Sequence, residues 1–434
     1  MLYKLFRIYR DLPGNIILLF VFEFILSLVH VAFILILNIY LRKQGFSDPE
    51  IASFNSLRFI GALAFSLPLG IYIKGKRLKP FFIASSFLVP LTSFLIIESI
   101  QYKIVPLIQL SFLLWGLGMM FMRVCSLPFV IRNTTSANSS EALSLNAATW
   151  SLATIVSGLI ISGLNWINIL DIHQMTIVFD EKGILRVITL MGLCSIIFAL
   201  NIKEENYHNL EKSNPLLSLH KSYDWELIFQ AISPLILISI GAGLTIPFVN
   251  LFFNSIFGIT SSDFSLMGSL TAMLVFFSSL MVPILKKKYG YWFTIVLVQS
   301  LAIICLVIMA LTEIFAAHTY AIYIAILAFV MRQPLMHMAH PSSNELMMNY
   351  VGKRNQELIS ALSSSLWSAS WFISAKIFEW LRLLDYQYYE IFLITSGMYI
   401  LGVILYISLI RRYEAMHNEN DHGVFPIIDE LNQD

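Results

Sequence analysis

Long apolar runs, each close to the length needed to cross a lipid bilayer, recur along almost the whole chain. A run of about 20 apolar residues is typical of a membrane-spanning helix. The composition agrees, because 57% of the residues are hydrophobic and only 13% are charged, whereas a soluble domain is about 25% charged. The runs predict an all-α integral membrane protein with twelve transmembrane helices, called spans 1 to 12 in chain order, at roughly 15–41, 50–73, 80–99, 104–131, 141–168, 183–202, 227–256, 262–285, 291–315, 319–341, 356–381 and 389–410.

Most connections are short, and one long polar segment divides the chain. This segment, from Lys203 to Glu226, carries charges of both signs and lies halfway along the sequence. It predicts an N-terminal six-helix bundle, a cytoplasmic linker, a C-terminal six-helix bundle and a cytoplasmic tail, at 1–202, 203–226, 227–412 and 413–434. The basic start, MLYKLFRIYR, precedes an apolar run that is too long for a secretory signal, so we interpret this run as a retained helix.

Lysine and arginine residues concentrate on one side of the predicted spans. That side holds the basic residues of the N-terminus, of the linker and of the turns after spans 2, 8 and 10. The other side has few basic residues, namely Arg42, Lys43, Lys103, Lys182 and Arg382. Cytoplasmic loops carry such an excess. Both termini and the linker are therefore predicted to be cytoplasmic.

The two halves of the chain share short patterns at corresponding positions. Span 1 exits through LNIYLRKQGFSDPEI (37–51), and span 7 exits through VNLFFNSIFGITSSDF (249–264). A proline followed by a basic turn ends both span 2 (PLGIYIKGKR) and span 8 (PILKKKYG). Arg123 in span 4 is matched by Arg332 in span 10. Parallel six-helix repeats are typical of transporters, which bind their substrates between the repeats.

The twelve spans, the long middle linker, the repeat and the basic turns resemble the major facilitator superfamily over most of the chain. In that family the turn after span 2 usually reads Gly, three residues, Asp, Arg and Gly. Here Gly70 is followed by Ile-Tyr-Ile and then by Lys74-Gly75-Lys76-Arg77, without the acidic residue. The resemblance implies two pseudo-symmetric six-helix bundles, a cavity lined by spans 1 and 4, and spans 2 and 11 side by side between the halves. It also implies secondary transport by alternating access in the inner membrane of a bacterium.

Charged side chains lie well inside several apolar spans, at Glu23, Arg58, Arg123, Arg332 and Lys376. A charge at bilayer depth costs at least about 2.5–3.5 kcal/mol, so such residues usually face a cavity or a partner. Glu23 shares one face of span 1 with Ser27, His30 and Asn38 at the helical repeat of about 100° per residue. This polar stripe is typical of a helix that lines a water-filled path.

Glu23 and Arg123 lie at similar depths, about 12 Å from the predicted cytoplasmic ends of spans 1 and 4 at 1.5 Å per residue. One interpretation places Arg123 and Arg332 in the cavity, where they bind an anionic group, because a guanidinium forms paired hydrogen bonds with carboxylate or phosphate. Glu23 is then the proton carrier, with His30 in the proton relay. The other interpretation makes Glu23 and Arg123 a fixed ion pair between two helices, with Arg332 bound to backbone carbonyls.

A gate is a further prediction for the outer halves of spans 2 and 11. Arg58 in span 2 and Glu379 in span 11 are candidates for an ion pair that closes the outer side. Alternatively, Lys376 pairs with Glu379 three residues away, or extends along its own span to the membrane surface.

Span 7 contains GAGLTIPFVNLFFN (241–254), which places Asn250 and Asn254 near Pro247. Proline and glycine loosen a helix, and transporters use such breaks at binding sites and hinges. The pattern predicts a hinge that faces the cavity, with both asparagines as binding or coupling residues.

These features favour a secondary active transporter for a small organic solute, with anions as one candidate class and protons as the expected coupling ion. A proton-coupled efflux pump for amphipathic or cationic compounds is an alternative. A lipid-handling or membrane-embedded enzyme is another class, but the sequence contains neither a catalytic constellation nor a GxxxxGK[ST] loop for ATP. We expect a monomer in the lipid bilayer that binds its substrate and protons and requires no cofactor or metal. The net charge of +1 gives no reason to expect a nucleic-acid partner.

Overall fold

The computed structural model describes residues 13–73, 76–134, 139–169, 179–204 and 224–421. These residues form helices and contain no strand. The helical segments are α1 (Gly14–Lys43), α2 (Asp48–Tyr72), α3 (Lys79–Gln101), α4 (Val105–Asn133), α5 (Ser139–Ile169), α6 (Glu181–Asn201), α7 (Trp225–Phe257), α8 (Ser261–Tyr291), α9 (292–314), α10 (Tyr320–Gly352), α11 (353–383) and α12 (Tyr388–Asp421). Within the described ranges, 9 helices are long and apolar enough to cross a membrane.

The helices follow the order of the predicted spans, but two of them extend well beyond their predicted ends. Helix α10 continues to Gly352 and α12 continues to Asp421. Hydropathy marks where apolar side chains end, whereas backbone hydrogen bonding continues into the polar residues that follow. The first part of the predicted tail is therefore helical. The predicted N-terminal segment, most of the linker, Lys74, Gly75 and the end of the tail lie outside the described residues.

Local side chains fix several helix ends. Helix α2 begins with a capping box, in which the backbone N–H of Ser47 donates to the Glu50 carboxylate at 2.8 Å. The Asp180 side chain caps α6 by accepting from the backbone N–H of Gly183 at 2.7 Å. Gly290 and Gly352, with φ of 69° and 70°, separate α8 from α9 and α10 from α11. Glycine adopts these left-handed conformations without strain.

Helices α1 to α6 and α7 to α12 form two bundles, and α5 packs against α8 between them. A Cβ on Gly158 in α5 would lie only 2.5 Å from the carbonyl oxygen of Ser265 in α8. The Ser269 hydroxyl donates to the carbonyl of Ile155 at 3.1 Å across the same contact. Small residues let membrane helices approach closely. We call the end of the molecule at which residues 204 and 224 lie the linker end, and the opposite end the distal end.

Candidate functional site

The polar stripe that was predicted on α1 is present, and its side chains are buried. Glu23, Ser27, His30 and Asn38 are all buried. Glu23 lies within hydrogen-bonding reach of the Ser126 hydroxyl on α4. His30 stacks on Trp115 of α4, with ring centroids 5.0 Å apart. Helix α1 therefore directs Glu23 and His30 towards α4.

Arg123 on α4 is solvent-exposed although it lies deep within a membrane span. Its Nη2 donates to His30 Nε2 at 3.3 Å, and its guanidinium carbon lies 5.2 Å from the ring centroid of Trp150 on α5. Within the described part of the chain, Arg123 forms no ion pair with a carboxylate. A guanidinium that is open to solvent at this depth can receive an anionic group.

The predicted ion pair between Glu23 and Arg123 is not formed. Side chains tilt towards the N-terminus of their own helix. Helix α1 starts at the linker end and α4 starts at the distal end, so the two side chains tilt in opposite directions. Glu23 consequently contacts Ser126, and Arg123 contacts His30. The two contacts lie at different depths along α1.

Arg58 on α2 joins the same cluster rather than a gate. It is 6% exposed, and its guanidinium carbon lies 4.5 Å from the ring centroid of Phe59 and 5.5 Å from that of Trp115. A Cβ on Gly116 would overlap the carbonyl oxygen of Arg58, so this glycine allows α2 to approach α4. We call Arg58, Trp115, His30, Arg123 and Trp150 the arginine–aromatic cluster.

The predicted gate pair between Arg58 and Glu379 is not formed. Glu379 accepts from Lys376 on its own helix at 2.7 Å, which was the alternative pairing. Lys376 also donates to the Ser53 hydroxyl of α2 at 3.3 Å, so this lysine connects the two bundles.

Arg332 does not face Arg123. It is 2% exposed and packs within the second bundle, where its Nη2 donates to the Tyr399 hydroxyl of α12 at 3.2 Å. Gly241 of α7 lies against the Tyr399 ring and leaves room for it. Arg123 and Arg332 occupy corresponding positions in the repeat but have different surroundings.

Helices α1 and α7 are each broken where they meet, and asparagines bridge the breaks. Residues Phe33–Leu37 form a π-helical turn in α1, and Ile246–Phe248 form a 3₁₀ turn in α7. Asn38 donates to the carbonyl of Pro247 at 2.6 Å, and Asn250 donates to the carbonyls of residues 34 and 35 at 3.2 Å. Each asparagine thus binds the broken backbone of the other bundle.

Two other asparagines lie near this contact. Asn55 of α2 donates to the Asn38 side-chain oxygen at 2.9 Å and extends the network to a third helix. Asn254 was predicted as a binding residue, but its amide donates to the carbonyl of Ile259 at 3.1 Å and closes the end of its own helix.

Charged and hydroxyl groups join the bundles at the distal end. Asp48 pairs with Arg42, also pairs with Arg382 of the second bundle at 2.9 Å, and accepts from the Tyr388 hydroxyl at 2.5 Å. Sequence reasoning placed Arg42 and Arg382 only among the loop charges and missed Asp48. The sequence feature that could have identified Asp48 is its position at the start of a helix, on the side of the membrane that has few basic residues. We call Arg42, Asp48, Arg382 and Tyr388 the distal lock.

A second bridge lies beside the distal lock. Glu181 at the start of α6 accepts from Lys43 at 2.6 Å and from the Ser261 hydroxyl at the start of α8 at 2.8 Å. By contrast, described contacts at the linker end hold each bundle together internally, as when Arg132 donates to the carbonyl of Ile73 at 3.0 Å. Among the described residues, the polar contacts that join the two bundles therefore lie towards the distal end, and those at the linker end stay within one bundle.

Solved structures of transporters share the fold of this chain. A bacterial homologue of the iron transporter ferroportin in its inward-facing state has 12% identity and a TM-score of 0.69, over 91% of this chain and 98% of that chain. The outward-facing state of a bacterial ferroportin homologue gives 11% identity and a TM-score of 0.62, over 92% and 99%. The nucleoside transporter NupG gives 13% identity and a TM-score of 0.70, over 92% and 99%. At these identities the likeness shows the fold alone.

A family model identifies the chain more directly. No curated protein matches the sequence. The model for the Major Facilitator Superfamily matches residues 16–375, which is most of the chain and includes α1 to α10 and the arginine–aromatic cluster. The helical membrane fold and the transporter neighbours agree with this match and indicate a transporter rather than an enzyme. The chain belongs to the Major Facilitator Superfamily.

Proposed function

We propose that the chain is a secondary transporter that carries a small organic anion by alternating access, coupled to protons. The observation that carries this proposal is the exposed Arg123 guanidinium, which lies deep in α4 and has no carboxylate partner among the described residues. Cations at this depth usually pair with a group of opposite charge or mark a substrate path. The planar guanidinium binds carboxylate and phosphate through paired hydrogen bonds.

Aromatic rings around Arg123 favour an organic anion over a bare inorganic one. The Trp150 ring lies 5.2 Å from the guanidinium carbon and is 37% exposed, so its surface is available to the carbon skeleton of a substrate. His30 and Trp115 continue this aromatic surface into the bundle. The anionic group then binds Arg123 while the rest of the molecule contacts the rings.

Glu23 is the residue that we assign to proton coupling. It is the buried carboxylate of the α1 stripe, two helical turns from His30 and towards the linker end. A proton that moves along this stripe passes the substrate site. Protonation of Glu23 removes a negative charge from the path on which the anion moves, so the two events are linked.

Alternating access requires the distal contacts to break. The distal lock and the asparagine bridges join the bundles at that end, and the higher similarity to an inward-facing than to an outward-facing ferroportin homologue agrees with a closed distal end. We propose that the linker end is cytoplasmic, in accord with the excess of basic residues there.

Gradient-driven uptake tests this function. Purified protein in proteoliposomes is given a panel of organic anions, their neutral amides and amphipathic cations, with and without an imposed pH gradient. We expect uptake of at least one anion that the pH gradient accelerates and no uptake of its amide.

Glu23 and the exposed aromatic rings support a second candidate, an efflux pump for amphipathic cations. The same panel separates the two functions. Movement of the amphipathic cations with no movement of any anion would support the pump and would refute the anion transporter.

A further inference from the structure

The arginine–aromatic cluster contains hydrogen-bond donors that have no acceptor among the described residues. A guanidinium can only donate, so His30 accepts from Arg123 at Nε2, and the neutral imidazole then carries its hydrogen on Nδ1. His30 Nδ1, Trp115 Nε1 and Arg58 Nε are buried and have no hydrogen-bond partner within the described part of the chain. All three are N–H donors. Buried polar groups almost always have a partner, so this group of donors points to a ligand that supplies acceptors.

Positive charge is also in excess at this position. Arg123 donates to His30 at 3.3 Å, and Arg58 lies 5.5 Å from the ring of Trp115, on which His30 stacks. Neither arginine forms an ion pair with a carboxylate among the described residues. Two arginines at membrane depth without acidic partners match two negative charges on a ligand.

We propose that the cluster binds both charged groups of one small organic dianion, one group at Arg123 and the other at Arg58. This inference rests on the proposed anion transport and narrows its substrate class. The two guanidinium groups contact different rings, because Arg123 reaches the edge of His30 and Arg58 lies over Trp115. Two separate binding points fit a molecule with two separated anionic groups, such as a short dicarboxylate.

The two arginines differ in exposure to solvent. This difference sets the order in which they bind the two anionic groups. Arg123 is exposed, whereas Arg58 is 6% exposed and its guanidinium carbon lies 5.5 Å from the centroid of the Trp115 ring. The first anionic group binds at Arg123. The second group reaches Arg58 and accepts from the buried donors, which places a bound dianion between α1, α2 and α4.

Matched ligand pairs test this inference by direct binding. Unbranched dicarboxylates of three to six carbons, each paired with its own monoamide, are titrated into the full-length purified protein. Fluorescence of the tryptophans, two of which lie in the cluster, reports binding. We expect at least one dicarboxylate to bind about 10-fold or more tightly than its monoamide, because hydrogen bonds to charged groups are the strong ones.

Arg58→Gln is the variant that removes the second binding point. We expect the preference for the dianion to fall below about 2-fold while the monoamide still binds as in the wild type, because Arg123 is unchanged. Arg58→Lys keeps the charge and should retain part of the preference. Arg411→Gln changes an exposed arginine outside the cluster and should retain the full preference for the dianion. If Arg58→Gln does not fold, the wild-type comparison of each dicarboxylate with its monoamide decides.

Three outcomes would overturn the dianion site. One is equal binding of dicarboxylates and monoamides, and another is an unchanged preference in folded Arg58→Gln. The third is tighter binding of inorganic phosphate than of any dicarboxylate, because both arginines would then act on a single group. In each case anion transport through Arg123 stands. If no anion binds and none is transported, the proposed function itself fails.

Discussion

Arg123 and Arg332 lie on corresponding helices of the two bundles but meet different surroundings. Arg123 is exposed and donates to His30, whereas Arg332 is buried and donates to the Tyr399 hydroxyl. The Arg332 Nε has no hydrogen-bond partner among the described residues. The stability of this buried guanidinium therefore depends strongly on its hydrogen bond to the Tyr399 hydroxyl.

Loss of the Tyr399 hydroxyl should therefore destabilise the protein. Tyr399→Phe leaves a buried charge with no acceptor from that side chain, and we expect a loss of about 1–3 kcal/mol. Arg332→Met removes the charge itself and should be close to neutral or stabilising. Thermal unfolding of the two purified variants, followed by intrinsic fluorescence, checks the order. A lower melting temperature for Arg332→Met than for Tyr399→Phe would contradict it.

Glu23→Gln should abolish the accumulation of substrate without abolishing its exchange across the membrane. The amide keeps the size of the carboxyl group but cannot carry a proton, so exchange of labelled for unlabelled substrate should continue, and accumulation driven by a pH gradient should be lost. The control is Glu226→Gln, which alters an exposed carboxylate at the start of α7. Gradient-driven uptake of wild-type size in Glu23→Gln would refute the assignment of Glu23 as proton carrier.

The sequence identifies the residues of the candidate site, but it does not identify which residues they contact. Glu23, His30, Arg58 and Arg123 stand out because polar groups are rare in apolar spans. Their depth along each helix follows from residue counting. The pairing does not, because antiparallel helices tilt their side chains in opposite directions. For this reason Arg123 meets His30 instead of Glu23, and Arg58 lies at the cluster instead of a gate.

At the scale of elements, the contact between α1 and α7 depends on irregular backbone in both helices. A π-helical turn in α1 and a 3₁₀ turn in α7 disturb the regular hydrogen-bonding pattern, and Asn250 and Asn38 donate to carbonyls in these turns. Such turns are frequent at functional sites. The bridges join the two bundles near the distal end, and the proposed alternating access requires them to break.

Two asparagines one turn apart on α7 provide a matched test of these bridges. Asn250→Ala removes donors to the carbonyls of Ile34 and Leu35, whereas Asn254→Ala removes only a bond to Ile259 on its own helix end. We expect Asn250→Ala to shift the population towards an open distal end by about 1–3 kcal/mol. Asn254→Ala should leave the distribution unchanged.

Distances between spin labels measure that shift. Labels at Tyr102 and Leu384, which are exposed at the distal end of the two bundles, are introduced with the three native cysteines replaced by serine. A longer distance should become more populated in Asn250→Ala. Identical distributions in the two variants would show that the Asn250 bridge does not hold the end closed.

The break in α7 was predictable and the break in α1 was not. Pro247 and the preceding glycines indicate a loosened helix, and the 3₁₀ turn lies at that proline. The π turn of α1 lies in the apolar sequence Phe33–Leu37, which contains neither proline nor glycine. A tertiary contact accompanies this turn, since Asn250 of the other bundle donates to two of its carbonyls.

At the scale of the whole molecule, one carboxylate connects several elements at the distal end. Asp48 at the start of α2 contacts Arg42 of α1, Arg382 at the end of α11 and Tyr388 at the start of α12. Its side chain is 3% exposed, so water screens these contacts less than it screens surface pairs. The distal lock thus joins the two bundles through a carboxylate that is shielded from water.

Asp48→Asn should loosen the distal end. The substitution removes the negative charge that Arg42 and Arg382 share, and breaking a buried pair in this way typically costs about 3–5 kcal/mol. Hydrogen–deuterium exchange should become faster in the turns between α1 and α2 and between α11 and α12. Glu226→Gln, which alters an exposed carboxylate at the start of α7, serves as the control. Unchanged exchange in Asp48→Asn would show that the distal lock does not stabilise the closure.

Fold and conformation differ in how far the sequence predicts them. Apolar runs predict the helices, since each must satisfy its backbone within the membrane. The state in which one end is closed cannot be read from these runs, because a transporter uses the same helices in each state. It depends on contacts such as Asp48 with Arg382, which join residues far apart in the sequence.

Uptake of a carboxylate and its neutral amide by wild-type protein and by Arg123→Gln tests the central claim most directly. The comparison requires proteoliposomes with equal amounts of folded protein, a pH gradient and a labelled pair of substrates. We predict that the wild type takes up the carboxylate but not the amide, and that Arg123→Gln lowers carboxylate uptake by about 10-fold or more. Carboxylate uptake at the wild-type rate in Arg123→Gln would contradict the account.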